Sequence, residues 1–390
     1  MIIQEGSVKI DVPTAKKVSK DMEIFYNPAM KLNRDITVLL LNSIDNTNLQ
    51  IADPLAATGV RSLRFLIELS RGKIKKIDAN DINGSFKKKI QENITLNRIK
   101  KSKSKILSLF NHDANIFLLN SSGYDYIDID PFGSPIKFLE SSIARLARNG
   151  VLGVTATDTS SLSGTFESSC LRKYFAKSLR NELMHETGLR ILIRRVQLIG
   201  ASHEKALTPV FSYSLEHYMR VFFKCEKGIR KCDELLKHHK YLLHCPACLE
   251  TRYSIINYGK SSCGNDFEYA GPLWTGALWD KKLTHTMLNA SKNSGKYSDE
   301  VRKFLELLDE ESGIVSGIFY NIHRICKVYR MLAVKKSLLI EKIRKQGFEA
   351  GSTHLKPEGI RSSIPLQKLV EIMRKENSKE NPKENSKKGA

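Results

Sequence analysis

"YDYIDIDPFGSP", residues 124–135, begins as a buried strand and ends in a carboxylate, a Pro-Phe pair and a glycine. Six residues rich in Tyr and Ile, closed by Pro and Gly, suit a strand covered on both faces of a parallel sheet. A strand that breaks off at Asp130, Pro131 and Phe132 delivers a charged and an aromatic side chain at the edge where ligands meet such sheets. The plainer alternative is a strand followed by a Pro-Gly turn, with Asp130 capping a helix. Its neighbours decide between the two.

The pattern repeats on both sides. Between residues 49 and 160, apolar runs alternate with amphipathic stretches, predicting strands at 49–55 (LQIADPL), 75–81 (KKIDAND), 104–110 (SKILSLF), 124–130 and 150–158 (GVLGVTATD). Helices fall between them, as over 85–97, where Phe86, Ile90, Ile94 and Leu96 recur near helical spacing. Strands separated by helices imply an open α/β sheet. A longer helix over 166–186 is expected next, then GLRILIRRVQLIG (188–200) and SLEHYMRVFFK (214–224) as a pair of antiparallel edge strands. Added to the parallel strands, that edge resembles the seven-stranded, Rossmann-like architecture of class I methyltransferases, an expected domain over 1–225 whose fold alone does not fix function. Cysteines and histidines cluster after 225 and a Lys-rich helical stretch follows at 297–346, which implies a smaller α+β domain over 226–375. The segment KENSKENPKENSKKGA, residues 375–390, is a low-complexity repeat without large apolar side chains, and 376–390 is expected to be a disordered tail.

Charge narrows the function. The 390 residues hold 63 Lys and Arg against 42 Asp and Glu, a net +21 that suits a polyanion such as nucleic acid, although a merely solvated basic surface gives the same total. No apolar run approaches the roughly 18 residues a membrane span needs. The opening MIIQEGSVKIDVP alternates like a strand and does not resemble a signal peptide, and seven scattered cysteines do not form a secreted disulfide framework. A cytoplasmic location is the expectation, with no membrane and no obligate protein partner.

The strand ends then supply a pocket. DPLAATGVR, Asp53 to Arg61 and including Thr58, is a small-residue turn that lets backbone approach a nucleotide-like ligand. Asp81 stands where a carboxylate accepts both hydroxyls of a ribose, and Asp113 with Ala114 where an adenine amino group and ring face would lie; an N-cap and a polar turn are the bland readings of the two. Together they outline an adenosine site without a pyrophosphate fingerprint, so S-adenosylmethionine fits better than NAD. DPF resembles the [DNS]-PP-[YFW] motif of amino-group methyltransferases with one proline absent. An exocyclic amine on a base is a poor nucleophile because its lone pair is delocalised. With Asp130 accepting one N–H and the Pro131 carbonyl the other, the nitrogen can aim that pair at a methyl group while Phe132 stacks on the base. Asp128, two residues earlier on the same face, is the second choice for the carboxylate.

These residues, with FYNPAMKLNRDITV (25–38), TDTSSLSGTFESSCLRKY, HETGLRILIRRVQLIGASHEKALTPVFSYSLEHYMRVFFK, GPLWTGALWD (271–280) and AGSTHLKPEGIRSSIP, resemble the tRNA guanine-26 N(2)-dimethyltransferases of archaea and eukaryotes over about residues 4–372. The resemblance implies that Phe25 and Phe132 sandwich a flipped guanine and that Arg34 holds the methionine carboxylate of the cofactor. It further implies that Arg61, Asp81, Asp113 and Ala114 complete the cofactor site and that Asp130 is the catalytic carboxylate. Folded tRNA is the implied partner, its phosphates held by basic side chains. CPAC and SSCGN place Cys245, Cys248 and Cys263 as in a zinc ribbon. The position expected for the first cysteine of the second knuckle holds Lys260, leaving His244, Asp266 or Cys232 as a fourth ligand. Rival readings are an N(6)-adenine or rRNA guanine methyltransferase, or a tRNA-binding protein without catalysis.

Overall fold

The computed structural model describes residues 1–12 and 25–380. A hairpin of β1 (Ile2–Glu5) and β2 (Val8–Asp11) opens the chain. The main sheet follows with β3 (Leu49–Asp53), β4 (Ile74–Asn80), β5 (Leu107–Phe110), β6 (Tyr124–Ile129), β7 (Leu146–Ala156), β8 (Lys205–Leu215) and β9 (Tyr218–Lys227). Their order is β5-β4-β3-β6-β7-β9-β8, with the first five parallel and β9 antiparallel to both β7 and β8. Ile51, Ile77, Ile127, Ile129, Leu152 and Val154 are fully buried, as expected where helices cover both faces. The strand order reverses between β3 and β6. A crevice therefore opens where those two strands end.

Three expectations are corrected. Segment 188–200 is not a strand: it lies within a helix, Met184–Ser202. Leu189, Ile191, Leu192, Ile193 and Val196 are all buried there, so the helix has little polar face to reveal its period. The antiparallel pair exists but is made by β8 and β9, joined at Glu216. The helix expected over 166–186 ends at Tyr174, because Phe175 turns left-handed with φ 51°. Ser104, expected at the start of a strand, sits in the short helix Lys101–Ser104.

Beyond Lys227 lie two three-stranded sheets. One holds His239–His244 between Thr251–Ser254 and Glu268–Trp274; the other holds Gly359–Ser362 between Tyr320–Asn321 and Ala350–Ser352. Helices Lys281–Asn293 and Asp299–Ser312 bring Met287, Leu288, Val301 and Leu305 into the apolar cluster that contains Ile36, Leu40 and Ile51. A buried ion network also spans the chain. Glu186 pairs with Arg190 at 2.8 Å and Arg361 at 2.7 Å, Arg361 reaches Glu311 at 2.8 Å, and Glu311 meets His354 at 2.6 Å.

The last helix, Leu366–Glu380, takes in the first residues of the expected disordered tail. Asn377 exchanges hydrogen bonds with the backbone of Leu332 at 2.7 and 3.2 Å, which anchors that extension; residues 381–390 lie outside the described residues. Among the described residues, no helix is long and apolar enough to cross a membrane.

Candidate active site

At the crevice between β3 and β6 lies a cavity of about 520 Å³, a size ordinary for a small-molecule site. Phe25, Arg34, Asp53, Thr58, Arg61, Asp130, Pro131 and Phe132, eight of the expected site residues, all line it. One wall is the turn after β3. The Ala56 amide bonds the Asn80 carbonyl at 2.9 Å, the Ala57 amide bonds Asp81 at 2.8 Å, and Gly59 enters the next helix with φ 74°. A Cβ on Gly59 would stand 2.4 Å from Ile90 Cδ1, so only glycine fits. The buried Thr58 hydroxyl on this wall has no protein partner, a polar atom available to a ligand.

Charged groups converge at the floor. Arg61 donates from Nη2 to Asp130 and to Asn33 at 3.0 Å, and from Nη1 to Asp128 at 3.3 Å and Thr37 at 3.1 Å. Arg220 grips Asp128 from the other side at 2.7 and 3.2 Å, and the Tyr126 hydroxyl donates to the same carboxylate. Burial alone would raise the pKa of Asp128, but Arg220 and Arg61 outweigh it and hold the group ionised. Asp128 is thus saturated by partners. Asp130, just past the strand, keeps some solvent exposure and faces the cavity. Asp53 behaves differently: burial pushes its carboxyl up to about 7, against the pull of Arg61 and the Ser62 hydroxyl bonded at 2.7 Å.

Two aromatics form the mouth. The Phe25 and Phe132 rings meet edge to face, centroids 5.8 Å apart at 79°, and Phe132 is 61% exposed. The Phe132 loop is pinned by Gly133, whose amide donates to the Thr157 hydroxyl at 2.6 Å and whose carbonyl accepts from the Thr157 amide at 3.0 Å. Arg34 meets Glu5 through two bonds of 2.6 Å and reaches the Asn27 carbonyl at 3.1 Å, which leaves Nη1 outside the ion pair.

Asp81, Asp113 and Ala114 stand at the strand ends but outside the wall of this cavity. Asp81 accepts from the amides of Ala57 and Asn83 at 2.8 and 2.9 Å, and Asp113 caps a helix through Asn115 and Ile116 at 2.9 and 3.3 Å. Each carboxylate offers about four acceptor positions, so this backbone duty leaves capacity for a ligand. Sequence reading did not single out Glu5, Asn33, Thr157, Asp158 or Arg220. Of these, Thr157 and Asp158 had a findable signal, since they follow β7 as Asp130 follows β6.

Away from the cavity, the sulfurs of Cys245, Cys248 and Cys263 lie within 4.8 Å of one another. The Cys263 thiol is pushed down to about 6 by hydrogen bonds from Ser261 and Asn265. Among the described residues no fourth ligand joins them: His244 faces Glu182 at 3.8 Å, Asp266 pairs with Lys260 at 3.6 Å, and Cys232 is buried on a separate helix, Ile229–Leu236.

Seven strands in this order, with acidic strand ends around a cavity at the reversal point, define a Rossmann-like methyltransferase domain carrying further, smaller sheets. The family model for N2,N2-dimethylguanosine tRNA methyltransferases matches residues 6–374, and the chain belongs to that family. It is 38% identical to the tRNA (guanine(26)-N(2))-dimethyltransferase of Methanobrevibacter smithii, over 95% of this chain and 96% of that one. It is 37% identical to the tRNA (guanine(26)-N(2)/guanine(27)-N(2))-dimethyltransferase of Aquifex aeolicus, over 95% of each. Among solved structures, Trm1 from Pyrococcus horikoshii in complex with S-adenosyl-L-methionine matches with a TM-score of 0.84 and 32% identity, covering 95% of this chain and 99% of that one.

Proposed function

We propose that this enzyme transfers methyl groups from S-adenosylmethionine, twice, to the exocyclic 2-amino group of guanine 26 in tRNA. The observation that carries this reading is one cavity walled by both the Asp53–Gly59 turn and the Asp130-Pro131-Phe132 loop, a cofactor wall facing an amine-orienting wall. Arg34, Asp53, Thr58, Arg61, Asp81, Asp113 and Ala114 would hold the cofactor; the unpartnered Thr58 hydroxyl and the polar cavity floor fit it. When bound, S-adenosylmethionine supplies an electrophilic methyl on a sulfonium.

The protein's part is orientation. Asp130 and the Pro131 carbonyl accept the two N–H groups of the amine, and the Arg61 guanidinium fixes the Asp130 carboxylate in place. A base between two parallel rings needs about 7 Å, twice the ~3.5 Å contact distance. Phe25 or Phe132 therefore turns from its edge-on pose to admit the flipped guanine. Residues 226–375 serve as the tRNA-binding part, and Cys245, Cys248 and Cys263 would supply three thiolates to a structural zinc. The tRNA substrate places the reaction in the cytoplasm.

The test is nucleoside mass spectrometry of unmodified tRNA incubated with protein and cofactor, beside a transcript with adenine at position 26 and the Asp130→Ala variant. Dimethylguanosine on the first substrate alone is expected. Asp130→Ala is expected to lose turnover by at least ~100-fold while binding cofactor nearly as well, in line with removal of one oriented transition-state partner. Near-normal turnover by that variant removes the mechanism.

A further inference from the structure

The helix Glu167–Tyr174 stands beside the cavity mouth. Tyr174 is buried; its hydroxyl donates to Asp158 at 2.7 Å and meets Ser134 at 3.1 Å, while Lys173 pairs with Asp158 at 3.0 Å. Asp158 lines the cavity and Ser134 lies two residues beyond Phe132. Exposed apolar side chains stand on this helix and at both its ends: Leu171, Phe166 and Phe175 are 58, 59 and 55% exposed.

Phe175 occupies a conformationally costly position. Its backbone is left-handed, φ 51°, a conformation that disfavours bulky residues, and its ring stands in solvent. Two arginines of the helix Met184–Ser202 fix it nonetheless. Arg194 donates to the Phe175 carbonyl at 3.2 Å, and the Arg195 guanidinium lies over one ring face at 4.5 Å from the centroid. Arg172 and Arg180, three residues before and five after Phe175, are exposed; the carboxylates Asp158 and Glu167 face Lys173 and Lys177, and Glu140 acts electrostatically on Arg195.

We infer that Phe175, backed by Arg195, is a stacking platform for an unpaired or splayed base of the substrate tRNA next to the one being methylated, with Arg172 on an adjoining phosphate. One ring face is occupied by a cation and the remaining exposure is free for a base, the arrangement that binds single-stranded nucleotides. The surrounding positive charge selects a polyanion over an apolar protein partner. This inference rests on the tRNA reading above and adds a positioning residue to it.

The test measures affinity for an unmodified tRNA transcript, affinity for S-adenosylmethionine, and dimethylguanosine formation. Phe175→Asn removes the ring and suits φ 51° better than phenylalanine, so the fold is retained. The expected result is a roughly tenfold weaker tRNA Kd, within the range for loss of one base stack, with unchanged cofactor Kd. Phe175→His, which keeps an aromatic ring and tolerates the left-handed region, restores most of that affinity. Arg172→Gln lowers the slope of log affinity against log salt by about 1. A tRNA Kd within twofold of wild type for Phe175→Asn, while the wild type dimethylates tRNA, overturns this inference alone. Absence of both tRNA binding and dimethylguanosine in the wild type overturns the parent reading and this one with it.

Discussion

Replacing Glu5 by glutamine tests how the first hairpin supports the cavity. The Glu5 side chain is 1% exposed and takes two bonds of 2.6 Å from Arg34, one of 3.2 Å from Arg64 and one of 2.9 Å from the Tyr26 hydroxyl. Burial would raise its pKa, but Arg34 and Arg64 reverse that and bring it from 4.5 to about 2. At about 1.4 kcal/mol per pKa unit, the ionised form gains about 3 kcal/mol, consistent with the cost of breaking a buried pair. Glutamine keeps the shape and a hydrogen-bond acceptor but leaves two guanidinium groups short of charge. For a chain of this size that loss lowers the thermal midpoint by roughly 4 °C near neutral pH.

The pH dependence makes the test specific. Because the folded-state pKa is depressed, the wild type's advantage is complete above the ordinary 4.5 and disappears as pH falls toward 2. Scanning calorimetry of both proteins from pH 7 to pH 3 should show a gap that is constant at first and then closes. A gap under 1 °C at neutral pH, or one unchanged between pH 5 and 3, refutes the reasoning. Since Arg34 lines the cavity, cofactor affinity measured by titration calorimetry should also weaken.

Gly59→Ala combines a left-handed backbone with a Cβ placed 2.4 Å from Ile90, so a loss of at least ~2 kcal/mol is expected, and the same change should cost less when made in an Ile90→Ala background; chemical denaturation of the four proteins of this double-mutant cycle checks both. Asp53, whose folded pKa is raised to about 7, favours the folded state fully below its unfolded value near 4, and this contribution is lost as pH rises through 7. The stability difference between wild type and Asp53→Asn should therefore change across that window; a constant difference argues against it. Purified protein should carry about one equivalent of zinc by elemental analysis, and stripping it should lower the midpoint of the wild type but not of Cys245→Ser with Cys248→Ser.

The parallel strands were legible because each is a short apolar run cut off by a polar turn, and that alone located Asp53 and Asp130 at strand ends; that the two strands are neighbours came only with the fold. The helix Met184–Ser202 was not, since burial on most sides leaves it β-branched and apolar without a readable stripe. The loop of Asp130, Pro131 and Phe132 could be read locally. Its supports could not: Arg220 comes to Asp128 from 92 residues away and Glu5 to Arg34 from 29, and no local spacing signals a partner that distant. Asp81 and Asp113 show a further limit. Position at a strand end is visible in sequence, whereas the direction a carboxylate takes depends on which amides the fold leaves bare.

The Glu186 carboxylate has a consequence for how the protein is made. It lies fully buried beside Arg190 of its own helix, yet its second partner, Arg361, is 175 residues further along the chain. While translation proceeds from the amino end, the strands around the cavity emerge early, but the charge at Glu186 has no full set of partners until residue 361 clears the ribosome. Until then Arg190 alone balances it, so burying the helix Met184–Ser202 costs more in the half-made chain than in the finished one. The charge pairs that seat this helix are thus complete only near the end of translation.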